Sequence, residues 1–231
     1  MLCDAHLHLH ETSADGYPRD GDIGLMFSCT ARPSEWASLK SMNSQGIKRF
    51  YGVHPWYCDE WSENTESKLL ALLDEDPSSG VGEIGLDGTR GTLEDQIPVF
   101  RRQLEMASSL DRTVNIHMID SEKDTLECIR NSACRTPMIL HSFKSESYVK
   151  PFSALNCYFS LNPRILSKKP ESVKRIFDSI PGDRLLLESD APHCPKGFTG
   201  MRDFISGLAD TVGVDADELE DTVCENLRSI A

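Results

Sequence analysis

The sequence contains no uninterrupted apolar run of the length that crosses a membrane, which is about 20 residues. Of its 231 residues, 39% are hydrophobic and 26% are charged, as is typical of a globular domain. The amino-terminal segment is acidic and rich in histidine, without a basic region followed by an apolar stretch, so no signal peptide is expected. We therefore expect no membrane partner.

Paired cysteine motifs are also missing. The eight cysteines are scattered along the chain, and none forms a C-x-x-C pair. Several lie in apolar segments, where a free thiol behaves as a small hydrophobic side chain. This distribution favours reduced thiols and a cytoplasmic location.

Positive charge is scarce. The chain has 24 basic and 37 acidic residues, which gives a formal net charge of −13. This argues against a protein that coats duplex nucleic acid, because such proteins neutralise phosphates with lysine and arginine. It is compatible with an enzyme that admits a phosphodiester to a metal-lined pocket, since bound divalent cations reverse the local field.

The chain alternates between short apolar segments rich in branched residues and longer segments with helical spacing. Repeated strand–helix units predict a parallel sheet, and eight of them in one chain predict a single (β/α)8 TIM barrel domain over residues 1–231. A doubly wound open sheet is the rival, but the Gly-rich phosphate loop after its first strand is missing. Residues 13–24 are interpreted as one loop. The predicted strands are residues 2–6, 23–29, 48–53, 81–86, 113–117, 137–141, 157–161 and 185–189.

Two helices are predicted with particular clarity. The first has apolar residues at intervals of three and four, which form one helical face: Ile97, Phe100, Leu104, Ala107 and Leu110. The second follows Asp215 and Glu218, a pair that resembles a capping box. Its apolar stripe consists of Leu219, Val223, Leu227 and Ile230.

Histidine and carboxylate residues fall at the ends of the predicted strands. Side chains two residues apart in a strand share a face, so His6 and His8 can bind one ion. An H-x-H pair is also compatible with the polar start of a loop. Glu83 lies in an apolar run. Because a buried carboxylate without a cation is energetically costly, we expect a metal ion or a basic side chain beside it. Imidazole and carboxylate are the ligands of catalytic divalent metals. The candidate ligands are His6, His8, Glu83, His117, His141 and Asp190.

Longer motifs extend this pattern over nearly the whole chain. They are the H-x-H pair, GVHP from Gly52, GEIGLD from Gly82, HSF from His141, ESDAP from Glu188 and ENLR from Glu225. Their order and spacing resemble those of the TatD-type deoxyribonuclease family of metal-dependent hydrolases, whose fold is an amidohydrolase-like barrel.

The resemblance implies a site for two divalent metal ions. His6, His8 and Asp190 would hold one ion, His117 and His141 the other, and Glu83 would bridge them. Asp190 would also act as the general base for the attacking water. His54 would bind the substrate phosphate rather than a metal. The ligand chemistry suits zinc, manganese, nickel or iron, and magnesium where water fills the remaining positions.

The sequence departs from the family in two loops that shape the substrate pocket. SFKS follows the sixth strand where the family usually has Cys-Phe-Ser/Thr-Gly, and the family's Arg-Gly and Asn-x-Pro elements are not evident after Asp190. Lys144, His193 and Lys196 are alternative phosphate contacts or solvated surface residues. His10 is interpreted as a loop residue. Arg164 is expected on the active face, where it can contact a phosphate.

The resemblance implies a 3′-5′ exonuclease that acts on single-stranded DNA or RNA, with single-stranded nucleic acid as its partner. The alternative is an amide or ester hydrolase that acts on a small molecule or an aminoacyl-tRNA, because the same activated water serves both reactions. A third interpretation is a metal-binding scaffold without activity. The sequence gives no indication of the oligomeric state.

Overall fold

The computed structural model describes residues 1–12, 23–43 and 45–231. Eight strands form one sheet in chain order, and each strand runs parallel to its neighbours. This order, with helices between the strands, is that of a (β/α)8 barrel and confirms the predicted fold class. The strands are β1 (Leu2–Leu7), β2 (Ile23–Cys29), β3 (Ile47–Tyr51), β4 (Gly80–Asp87), β5 (Val114–Ile119), β6 (Met138–Leu140), β7 (Cys157–Leu161) and β8 (Leu185–Leu187).

The seam between the last strand and the first closes just beyond β8. The backbone N–H of Asp190 donates to the carbonyl of His6 at 3.0 Å, and that of His8 donates to the carbonyl of Ala191 at 2.7 Å. These two hydrogen bonds continue the parallel ladder around the barrel. They also bring the segment after β8 against the histidine pair of β1.

Eight α-helices cover the barrel in the described part of the chain. Their apolar faces join the strands in one core, to which α3 contributes Phe100 and Leu104 and α8 contributes Leu219 and Val223. Asp215 caps α8, as predicted, by accepting hydrogen bonds from the backbone of Asp217 and Glu218. The helices are α1 (Trp36–Ser41), α2 (Glu63–Glu75), α3 (Leu93–Ser109), α4 (Glu122–Asn131), α5 (Val149–Ser153), α6 (Pro170–Ser179), α7 (Met201–Val212) and α8 (Ala216–Ser229).

The observed strand bounds differ from the predicted ones mainly at the carboxyl ends. β6 ends at Leu140 and β8 at Leu187, so His141 and Asp190 lie in the segments that follow these strands. Apolar sequence marks where a strand is buried, whereas ladder hydrogen bonds decide where it ends. The loop prediction for residues 13–24 is wrong at its end, because β2 includes Ile23 and Gly24; residues 13–22 lie outside the described residues.

All eight cysteines are free thiols, and six of them are buried. Among the described residues, none of the helices combines the length and the apolar character needed to span a bilayer.

Candidate metal centre

Seven side chains meet at the carboxyl end of the barrel, where enzymes of this fold carry their active sites. β1 supplies His6 and positions His8 one residue after its end, β4 supplies Glu83, and β5 supplies His117. Each of the seven side chains is buried. The set consists of the six candidate metal ligands and His54, to which the resemblance gives the substrate phosphate: His6, His8, His54, Glu83, His117, His141 and Asp190.

Glu83 lies at the middle of this cluster, with its two carboxylate oxygens facing different histidines. Oε2 is 3.6 Å from Nε2 of His6 and 3.3 Å from Nε2 of His8. Oε1 is 2.9 Å from Nδ1 of His117 and 3.5 Å from Nε2 of His141. A carboxylate placed in this way has one oxygen available to each of two imidazole pairs.

Asp190 completes the side of the cluster that contains His6 and His8. Its Oδ1 is 3.9 Å from Nε2 of His6, and its Oδ2 accepts a hydrogen bond of 2.6 Å from Arg164. The backbone of Asp190 has φ of 60°, a left-handed conformation that costs a non-glycine residue about 1 kcal/mol or more.

The ring nitrogens of His6 and His141 that face away from the centre have buried acceptors. Nδ1 of His6 lies 2.9 Å from Oδ1 of Asn115, whose amide nitrogen donates to the carbonyl of Ala5. Nδ1 of His141 lies 2.9 Å from Oε1 of Glu188. Both acceptors favour a proton on Nδ1, which turns Nε2 of each ring toward the centre.

His117 is oriented by a third acceptor of this kind. Its Nε2 is 3.1 Å from Oδ2 of Asp87, which also accepts the indole N–H of Trp56 at 2.6 Å. Thr89 donates to the other oxygen of Asp87. Both ring nitrogens of His117 thus face carboxylate oxygens, Nε2 that of Asp87 and Nδ1 that of Glu83. Burial acts to lower the pKa of the ring, but these two contacts raise it.

The sequence analysis did not single out Asn115, Glu188 or Asp87 as orienting residues. A usable signal was nevertheless present in the strand alternation. Asn115 lies two residues before His117 in β5, and Asp87 lies four residues after Glu83 in β4, which is the spacing of one face of a strand.

His54 differs from the other histidines in the atom that it turns toward the centre. The backbone N–H of Trp56 donates to its Nδ1 at 3.1 Å, so the proton of the neutral ring is on Nε2. That nitrogen is 3.4 Å from Oε1 of Glu83. His54 therefore accepts at Nδ1 and presents an Nε2–H group to the centre, whereas His6 and His141 have Nδ1 engaged with an acceptor and turn Nε2 toward the centre.

The protonation states of these side chains depend on their burial and on the contacts between them. Burial acts to raise the pKa of Glu83, but neighbouring histidines outweigh it and hold that pKa well below its usual range. Burial lowers the pKa of His54 to about 4, so its ring is neutral. Burial also acts to lower the pKa of His141, but Glu188 and Glu83 raise it to about 10. A cation bound to Nε2 of His141 must therefore displace a proton.

The donor set fits a divalent metal. Three triads of ligand atoms each lie within 4.8 Å of one another: His6–Glu83–His141, His6–His8–Asp190 and His54–Glu83–His117. Nδ1 of His8 is buried and has no hydrogen-bond partner among the described residues. Buried carboxylates and imidazoles of this density are otherwise costly, and a metal ion compensates that cost.

A cavity of about 660 Å³ opens above the cluster. Its walls include aromatic and cationic side chains, among them Trp56, Tyr57, Arg32, Arg164 and Lys168. Lys144 and His193 also line it, whereas Lys196 is exposed and is not among the lining residues that the structure describes. His10 is placed beside Glu11 and Glu35 instead of in the main cluster.

A (β/α)8 barrel with histidine and carboxylate donors gathered at the carboxyl ends of its strands defines the class of metal-dependent barrel hydrolases. The family model of TatD-related DNases matches residues 3–231, and the chain belongs to this family. It is therefore a metal-dependent hydrolase.

Individual relatives agree with this assignment. A protein named 3′-5′ ssDNA/RNA exonuclease TatD from Cronobacter turicensis is 30% identical over 186 residues, which cover 78% of this chain and 71% of that protein. The uncharacterized metal-dependent hydrolase YabD of Bacillus subtilis is 26% identical over 187 residues, or 78% of this chain and 72% of YabD.

Solved structures share the fold. The TatD homologue YjjV of Escherichia coli K12 superposes with a TM-score of 0.85 at 23% identity, over 99% of this chain and 97% of YjjV. A TatD family hydrolase of Entamoeba histolytica superposes with a TM-score of 0.83 at 14% identity, again over 99% and 97% of the two chains.

Proposed function

We propose that this protein is a 3′-5′ exonuclease that cleaves phosphodiester bonds in single-stranded DNA or RNA. The observation that carries the proposal is the position of Glu83, whose two oxygens face separate imidazole pairs at the bottom of an open cavity. Such a carboxylate is suited to bridge two metal ions. The name of the Cronobacter turicensis relative, a single-stranded DNA and RNA exonuclease, supports the substrate.

In this proposal, His6, His8 and Asp190 would hold one divalent ion, His117 and His141 would hold the other, and Glu83 would contribute to both. Two such ions supply Lewis acidity, lower the pKa of the attacking water and stabilise the leaving oxygen. The donor set suits manganese or zinc, and magnesium with additional water ligands. Asn115, Glu188 and Asp87 fix the orientations in which the rings of His6, His141 and His117 turn one nitrogen toward Glu83.

Asp190 is the residue that accepts the proton of the attacking water. Its Oδ1 lies on the side of His6, and Arg164 holds its Oδ2. His54 presents an Nε2–H group to the same space and donates it to a phosphate oxygen. The neutral state of His54 suits this role, because a neutral ring with Nδ1 already occupied can only donate toward the substrate.

The mouth of the cavity suits an unpaired strand. Trp56 is 45% exposed, and the guanidinium of Arg90 lies 4.3 Å from the centre of its ring. Arg32 lies 4.5 Å from the ring of Tyr57. Aromatic and cationic groups together bind single strands by stacking on bases and pairing with phosphates. Because the net charge of the chain is −13, we expect this affinity to be confined to the cleft.

The decisive experiment is cleavage of a 5′-labelled single-stranded oligonucleotide by metal-free protein reloaded with Mn²⁺, Mg²⁺ or Zn²⁺. We expect products that shorten from the 3′ end, and no products after chelation. An oligonucleotide with 3′-terminal phosphorothioate linkages and a blunt duplex are the matched controls. If loaded protein hydrolyses carboxylic esters or amides and leaves DNA, RNA and simple phosphate diesters intact, the alternative of a small-molecule or aminoacyl-tRNA hydrolase replaces this proposal.

We also propose that residues 1–231 act as one catalytic domain and that the protein works in the cytoplasm. The eight free thiols support a reducing compartment.

A further inference from the structure

Another group of metal-ligating side chains lies in the wall of the same cavity, outside the cluster around Glu83. His10, Glu11 and Glu35 each offer one atom, and these atoms lie within 4.8 Å of one another. Glu11 and Glu35 line the cavity. The proposed hydrolysis uses none of the three residues.

His10 is the unusual member of this group. Its side chain is only 3% exposed, and neither ring nitrogen has a hydrogen-bond partner among the described residues. A buried polar group without a partner is costly and calls for an explanation. Nε2 lies 3.3 Å from Oε2 of Glu35 and 3.7 Å from Oε1 of Glu11. The ring is therefore directed at the space between two carboxylates.

The two carboxylates are held in place independently of His10. Oε2 of Glu35 accepts the backbone N–H groups of Ala31 and Arg32 at 2.7 and 3.2 Å. Oε2 of Glu11 is 3.3 Å from Nε2 of His193, whereas its Oε1 is the oxygen that faces His10. These contacts fix both acids before any ion is bound.

The two arginines of this wall are engaged with other acids. The guanidinium of Arg32 pairs with Glu60, and that of Arg164 pairs with Asp190. Neither forms an ion pair with Glu11 or Glu35 within the described residues. Two carboxylates and an imidazole thus remain together without an arginine or lysine to balance them.

We propose that His10, Glu11 and Glu35 bind an additional divalent cation, separate from the ions held around Glu83. One imidazole and two carboxylates suit Mn²⁺, Zn²⁺ or Fe²⁺. His8 separates the two sites: its Nε2 faces Glu83 at 3.3 Å, and its Nδ1 faces Oε1 of Glu11 at 3.9 Å. Because Glu11 and Glu35 line the cavity, the additional cation is accessible to an anionic ligand that enters there.

The test is the stoichiometry of Mn²⁺ binding to the full chain, with free Mn²⁺ measured by electron paramagnetic resonance. Wild-type protein should bind one equivalent more than His10→Asn. Glu11→Gln should lose the same equivalent. Because the side chain of Glu11 is one-third exposed, this variant is expected to fold, and it tests the proposal even if His10→Asn does not fold. Asp59→Asn, an exposed carboxylate outside the group, is the control and should match wild type.

Equal stoichiometry in wild type and a folded His10→Asn or Glu11→Gln variant would overturn the proposal. Glu83→Ala should lose metal from the main cluster and keep the equivalent that depends on His10, which separates the two sites. The measurement is independent of catalysis. Failure of the loaded protein to cleave phosphodiesters would therefore reject the proposed function and leave this cation site standing.

Discussion

Ser189 donates two hydrogen bonds to the buried carboxylate of Asp4, across the seam where the barrel closes. The backbone N–H reaches Oδ1 at 3.0 Å, and the hydroxyl reaches Oδ2 at 2.6 Å. Asp4 also accepts the backbone N–H of His6 at 3.2 Å. One carboxylate thus sets the position of His6 on β1 relative to the segment that ends in Asp190.

Replacing Asp4 tests the importance of this seam for stability. Asp4→Ala leaves the N–H and hydroxyl of Ser189 without this acceptor, and we expect the free energy of unfolding to fall by about 3 kcal/mol. Ser189→Ala removes only the hydroxyl and should cost about 1 kcal/mol. Urea denaturation followed by circular dichroism measures both. Equal midpoints for Asp4→Ala and wild type would mean that the seam is held by the backbone alone.

Glu83 and His117 should differ in their effect on metal binding. Glu83→Ala should weaken both ions of the main cluster, because each oxygen serves one of them. His117→Ala should weaken mainly one ion. Calorimetric titration of each metal-free variant with Zn²⁺ or Mn²⁺ gives the number of sites and their affinities. An unchanged binding isotherm for Glu83→Ala would exclude the bridge.

The orienting contact of His141 should be measurable without catalysis. Glu188→Gln removes the carboxylate that holds Nδ1 of His141, and loss of such a partner typically lowers metal affinity by about 10- to 100-fold. Competition with a chromophoric chelator measures this change. Glu94→Gln, an exposed acid at the start of α3, is the matched control and should keep wild-type affinity.

Asp190 should be essential for turnover. Asp190→Asn keeps the shape of the side chain but removes the proton acceptor, so we expect the rate of phosphodiester cleavage to fall by about 10²- to 10⁴-fold. The rate is measured at saturating metal so that weakened binding does not dominate. Cleavage at the wild-type rate would assign the base to another residue.

Replacement of His54 should abolish catalysis without affecting metal binding. His54→Ala should retain the metal content of wild type and lose turnover, because its Nε2–H is assigned to the substrate phosphate. Metal analysis of purified protein and a cleavage assay on the same sample test the two halves together. Loss of a metal equivalent in this variant would make His54 a ligand and exclude the phosphate role.

Much of the fold and of the cluster could be predicted from local sequence. The short apolar segments rich in branched residues predict eight strands, and β2 and β7 match the prediction residue for residue. Side chains at the carboxyl ends of parallel strands must converge once the barrel closes, so His6, Glu83 and His117 could be expected to meet. Their individual ligand roles stay predictions.

Other features depend on contacts between distant parts of the chain. His10 was interpreted as a loop residue, since no local pattern brings Glu35 against it; only the packing of the segment after β1 beside the start of α1 does so. The Nε2 atoms of His6 and His141 are likewise directed at the centre by Asn115 and Glu188, which are 109 and 47 residues away in sequence. The local sequence determines which segments form strands and places histidine and carboxylate residues at the carboxyl ends of those strands. The protonation, orientation and pairing of those ligands arise only in the tertiary structure, because hydrogen-bond partners across the barrel decide them.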